Sequence, residues 1–157
     1  MRLRLFLICA GLVVTHIALQ VAFSAGPAAP DLLVVALLLA SRSLGSAGGA
    51  ALGFVLGLLE DAFAVISFGA NVVALTVVGA LGARTRDFFV GHSIPFLAVF
   101  LTLGKWVRDV LAWTASDPAS RPPWGELALV ESPLLALYAA AAGLVVRLLF
   151  FRRPLVR

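Results

Sequence analysis

Between Leu5 and Phe23 the chain carries no Asp, Glu, Lys or Arg, and comparable uncharged runs follow at 32–41, 44–59, 62–83, 88–104 and 132–146. Runs of this kind cannot be folded around one soluble core. A chain of 157 residues has too little interior to hide them, with 62% of its residues apolar and only 13% charged. Disorder, a coiled coil and a disulfide scaffold are excluded by the same figures. The lone Cys9 sits within an apolar run and reads as a structural thiol. The net charge of +4 does not indicate nucleic acid, because the bases are sparse and sit at segment ends. The pattern predicts an all-α integral membrane protein.

A helix crosses the hydrocarbon of a bilayer with about 20 apolar residues. The runs predict a six-helix transmembrane bundle, a single polytopic domain over 1–157. The helices are expected at about 5–23, 31–40, 47–66, 70–83, 88–113 and 127–151. Gly, Ser and Pro mark the breaks at 24–30, 41–49 and 67–69. Arg2 and Arg4 ahead of the first run resemble the start of a signal peptide, but the run is too long for one and is expected to be retained. The second segment is the shortest. Pro30 and Asp31 suit its first turn, and it reads as a short or tilted helix, with a re-entrant loop as the alternative.

Charge orients the bundle. With the N-terminus cytoplasmic, nine of the 12 bases (Arg2, Arg4, Arg42, Arg84, Arg86, Arg147, Arg152, Arg153 and Arg157) fall inside. Lys105, Arg108 and Arg121 fall outside. The positive-inside rule therefore predicts N-in and C-in, which an even number of crossings allows. Asp31, Glu60, Asp61, Asp109, Asp117, Glu126 and Glu131 gather in the outer half, leaving Asp87 inside.

No catalytic set is visible, and no metal or cofactor is expected. His16 and His92 lie on different segments, and no metal-ligand spacing, nucleophile elbow or nucleotide-binding fingerprint occurs. Three constellations remain. Gly45, Gly49, Gly53 and Gly57 recur every fourth residue, and Asp61 continues the row. On a helix this is a face without side chains, which either packs inside the bundle or docks a partner's helix. His16, Gln20, Glu60, Asp61 and Glu131 form an outer polar group, read either as internal pairs such as Glu131 with Arg108 or as a pocket open to the outside. Lys105, Trp106, Arg108, Asp109, Trp113 and Trp124 form an outer-interface lip with aromatics at the headgroups and charges in water. The lip is either an anchor or a docking site.

The middle of the chain resembles a known family. Pro30-Asp31-Leu32-Leu33 opens a short helix, Gly49-Ala-Ala-Leu-Gly53-Phe54-Val-Leu-Gly57-Leu58-Leu59-Glu60-Asp61 follows, then Gly69-Ala70-Asn71 and Val78-Gly79-Ala80-Leu81-Gly82 before Arg84. Order and spacing over about 30–86 are similar to the rod shape-determining MreD family. The resemblance implies a non-enzymatic, multi-pass protein of the bacterial inner membrane within the cell-elongation machinery. Its implied partners are a single-span MreC-like protein, with RodA and its transpeptidase partner alongside. It also implies a fold like that of the S components of energy-coupling-factor transporters. A vitamin-binding S component is accordingly the alternative function.

Overall fold

The computed structural model describes residues 2–21, 29–63, 68–88 and 94–150. Among these there are six helices and no strand. They are α1 (Arg2–Val21), α2 (Leu32–Ser41), α3 (Ser46–Asp61), α4 (Ala70–Phe88), α5 (Ile94–Ala115) and α6 (Trp124–Phe150). A short 3₁₀ turn, Pro118–Ser120, lies between α5 and α6, and the first turns of α6 widen into a π segment at Leu127–Glu131. Two helices are long and apolar enough to cross a membrane, within Leu3–Gln20 and Trp124–Phe150. Leu32–Ser41 and Ala70–Thr85 are shorter apolar helices.

Several predicted boundaries move. α4 runs on through Arg84 and Arg86 to Phe88, because straight-chain residues continue a helix well and nothing there breaks it. α5 starts at Ile94 rather than 88, with Pro95 in its first turn, where the missing N–H costs nothing. α3 ends at Asp61 rather than 66, and α6 starts at Trp124 rather than 127. The expected ends at Phe23, Ile66 and Phe151, and His92, lie outside the described residues.

The short second segment is the centre of the molecule. α2 packs against α1, α3, α4, α5 and α6, and every residue from Leu32 to Leu39 is buried. Its 10 residues rise only about 15 Å, half the hydrocarbon thickness of a bilayer. An all-round apolar helix has no polar face to present, so burial on all sides suits it. α1 is the opposite case. It touches α2 through Cys9 and Leu12 and leaves Leu3, Phe6, Leu7 and Val14 exposed.

α3 and α4 form the closest pair. A Cβ on Gly49 would strike the carbonyl of Gly79, one on Gly53 the carbonyl of Leu75, and one on Gly57 would lie 2.5 Å from Val72 Cα. Only glycine lets the two backbones approach this far. The helices are joined by a link whose Gly69 has φ 98, a left-handed conformation open to glycine at little cost.

The chain reversals give the bundle two chemically distinct ends. Asp31, Glu60, Asp61, Lys105, Arg108, Asp109 and Ser132 meet at one, here termed the carboxylate end. At the other, Arg42 lies against the start of α5 with Arg147 nearby, and this is the arginine end.

Candidate functional site

The carboxylate end is built on Asp31. It caps α2, accepting from Val34 N at 3.1 Å, and its second oxygen faces Lys105 Nζ at 3.4 Å and Arg108 Nη1 at 3.9 Å. Lys105 and Asp109, four residues apart on α5, pair directly. Arg108 donates to Glu60 of α3, to Asn71 Oδ1 of α4 at 2.7 Å and to Asp109 Oδ1 at 3.2 Å. Asp109 Oδ2 accepts from the Ser132 hydroxyl of α6 at 2.7 Å. One connected network thus ties α2, α3, α4, α5 and α6 together.

Burial gives the network its energetic weight. Lys105 and Asp109 are buried, and Asp31, Arg108 and Glu60 are mostly so. Three carboxylates (Asp31, Glu60, Asp109) face two cations (Lys105, Arg108), so one negative charge is in excess. His16 of α1 is buried within electrostatic reach of Asp31. Among the described residues no group bonds to His16 Nδ1, Glu60 Oε2 or Arg108 Nε.

Asp61 stands apart from these pairs. Its carboxylate accepts from the backbone N–H groups of Gly69 at 2.8 Å, Val72 at 3.0 Å and Asn71 at 3.3 Å. It closes the α3–α4 link and supplies negative charge where the dipole of α4 is positive.

The predicted constellations are rearranged accordingly. Gly49, Gly53 and Gly57 face α4, so this row is covered by the chain's own helix and is not open to a partner. Gly45 is outside the row, an exposed N-cap where an added Cβ would meet nothing within 4 Å. Of the outer polar group, His16, Glu60 and Asp61 are inside, while Gln20 and Glu131 are exposed. Arg108 pairs with Glu60 and Asp31 rather than with Glu131. Lys105, Arg108 and Asp109 do not stand in water on a lip. They turn inward, because Asp31 of the α2 start and Glu60 of α3 offer opposite charge to Lys105 and Arg108, and Asp109 pairs with both cations and accepts from Ser132 of α6. Asn71 and Ser132 complete the network; in the sequence Asn71 entered only as part of the Gly69-Ala70-Asn71 stretch, with no ionic role, and Ser132 was not singled out.

The aromatic part of the lip is ordered by hydrogen bonds. Trp106 Nε1 donates to Ala128 O at 3.0 Å and Trp113 Nε1 to Pro122 O at 2.9 Å. Trp124 meets Trp113 edge-on, centroids 4.9 Å apart, and remains exposed. Arg121 lies over the Trp113 ring at 4.9 Å while donating to Thr114 O and Ser116 O. Below this lip is a cavity of about 280 Å³ bordered by Lys105, Arg108, Asp109, Trp113, Glu131 and Ser132.

No protein-family model, curated protein or solved structure matches this chain.

Proposed function

We propose that the chain is a multi-pass protein of the bacterial cytoplasmic membrane, with both termini cytoplasmic, serving as a non-catalytic scaffold for cell elongation. The observation that carries this reading is its inverted distribution of polarity. The charges of the carboxylate end are packed inside, whereas α1 and α6 turn Leu3, Phe6, Leu7, Leu134, Leu137 and Leu148 outward. Water penalises that arrangement and lipid favours it.

The similarity of the 30–86 stretch to MreD supplies the role, which is to hold a single-span MreC-like protein next to RodA and its transpeptidase partner. Because the glycine row is occupied by α4, the partner's contact falls on the exposed apolar faces of α1 and α6 and on the Trp113–Trp124 edge. The network at the carboxylate end then sets the relative positions of α2 to α6, so that the α6 face and the Trp113–Trp124 edge are held rigidly.

A second reading is a vitamin-binding S component, favoured by the cavity beneath the lip. Its volume, about 280 Å³, falls just below the range of roughly 300–1,000 Å³ typical of ligand sites, and Lys105, Arg108 and Asp109 in its walls are already paired. Copurification separates the two. A scaffold retains a single-span protein, and an S component retains a stoichiometric small molecule and a coupling ATPase. Purified chain holding the small molecule and no single-span protein would overturn the scaffold reading.

A further inference from the structure

An apolar groove of about 230 Å³ runs between α4 and α5, away from the ion network. Leu38 of α2 is its floor, Val78 and Leu81 form one wall, and Val99 and Leu103 the other. Val99 and Leu103 are each more than half exposed, so the groove is open along its side. Along α5 its lining extends from Phe96 to Val107, about 16 Å at 1.5 Å per residue. That is about one leaflet, half of a hydrocarbon layer of roughly 30 Å.

One end of the groove lies at the arginine end. Phe96 and Phe100 line it, and the Arg42 guanidinium sits over both rings, 5.4 and 5.6 Å from their centroids. Arg42 is only partly exposed. Arg147, at the end of α6, is close enough to repel it. Burial first, and Arg147 second, push the Arg42 pKa down. Two like charges gathered at the end of an apolar channel favour an anion with a hydrocarbon tail there. Arginine suits phosphate in particular, because its fork of N–H groups matches the oxygens.

We propose that this groove binds one anionic phospholipid of the inner leaflet, its acyl chain lying from Phe96 towards Val107 and its phosphate against Arg42 and Arg147. The proposal rests on the membrane reading above and extends it. A partner's transmembrane helix is a poorer occupant. Such a helix is about 10 Å across and spans both leaflets, whereas this groove encloses about 230 Å³ and is one leaflet long.

The test is native mass spectrometry of the purified full chain titrated with phosphatidylglycerol or phosphatidylcholine. Wild type is expected to retain one phosphatidylglycerol about thirtyfold better than phosphatidylcholine, as two basic residues at a membrane surface imply. Arg42→Gln/Arg147→Gln should bring the preference close to onefold. Leu103→Trp, which fills the groove from its exposed side, should lower retention of both lipids while the size-exclusion profile is unchanged. Equal retention of the two lipids by wild type would overturn the proposal. So would an undiminished preference in the double variant, competition by glycerol phosphate alone, or displacement of the lipid by a single-span protein. Alkaline carbonate extraction is run in parallel. Release of the chain from membranes would sink the membrane reading itself, whereas retention with no lipid preference rejects the lipid site alone.

Discussion

Arg108 on α5 donates to Glu60 on α3 across 48 positions of sequence, and the same guanidinium reaches Asn71 on α4 and Asp109 one residue on. A single cation therefore joins three helices at a depth where its charge is largely shielded from water. Removing a partner from such a group costs more than the pair contributes, since the remaining charge stays buried without compensation.

For this reason Arg108→Met is expected to destabilise the fold by about 3–5 kcal/mol. Arg108→Met/Glu60→Gln should regain part of that loss, because it also removes the orphaned carboxylate. Thermal unfolding in detergent reads both. A single variant as stable as wild type would show that the pair does not hold α3 to α5.

The glycine row yields a steric prediction. Gly53→Ala places a methyl group against the Leu75 backbone and should cost about 1–3 kcal/mol, as forced overpacking does. Gly45→Ala meets nothing within 4 Å and should stay within about 0.5 kcal/mol of wild type. Equal unfolding temperatures for the two variants would contradict the close α3–α4 approach.

Asp61→Ala should lower stability by about 1–2 kcal/mol through loss of the three backbone bonds around the start of α4. Asp61→Asn keeps one acceptor oxygen and should fall between. Hydrogen exchange of the Gly69, Asn71 and Val72 amides gives a local readout, and protection unchanged in the Ala variant would count against the cap.

Topology is checked by labelling. In a Cys9→Ala background, Ala119→Cys should react with an impermeant thiol reagent in intact cells, and Arg84→Cys only after the membrane is opened. The expectation follows from nine of the 12 bases lying on one side. Labelling of position 119 from the cytoplasm alone would overturn the N-in arrangement.

Trp124→Ala is expected to weaken retention of a single-span partner roughly tenfold with an unchanged size-exclusion profile, since exposed aromatics often dominate interface energy. Trp106→Ala should instead reduce stability, because Trp106 secures the π segment through Ala128 O. Full partner retention by the Trp124 variant would remove the lip from the interface.

Legibility in the sequence differs from element to element. The glycines at 49, 53 and 57 announced close packing by their spacing alone, because a side-chain-free face has one steric consequence wherever it meets a helix. Which helix would meet it was not readable, and α4 takes that place. Asp31 was visible as a residue suited to a helix start, and it does cap α2. Its ionic partners, Lys105 and Arg108, lie more than seventy positions away, and no local pattern couples them.

Uncharged runs, the breaks between them and the gathering of carboxylates at alternate segment ends are local properties, so the sequence by itself determined the helical character and the distribution of charge between the two ends. The tertiary structure alone decided that the shortest helix is central, that α4 covers the glycine row, and that Lys105, Arg108 and Asp109 turn inward. The physical reason, in the proposed membrane setting, is that an apolar side chain is nearly as well placed against lipid as against another helix, so hydropathy does not say which face is inside. That choice is made by backbone approach and by pairing of buried charges, both of which require distant segments to be already together.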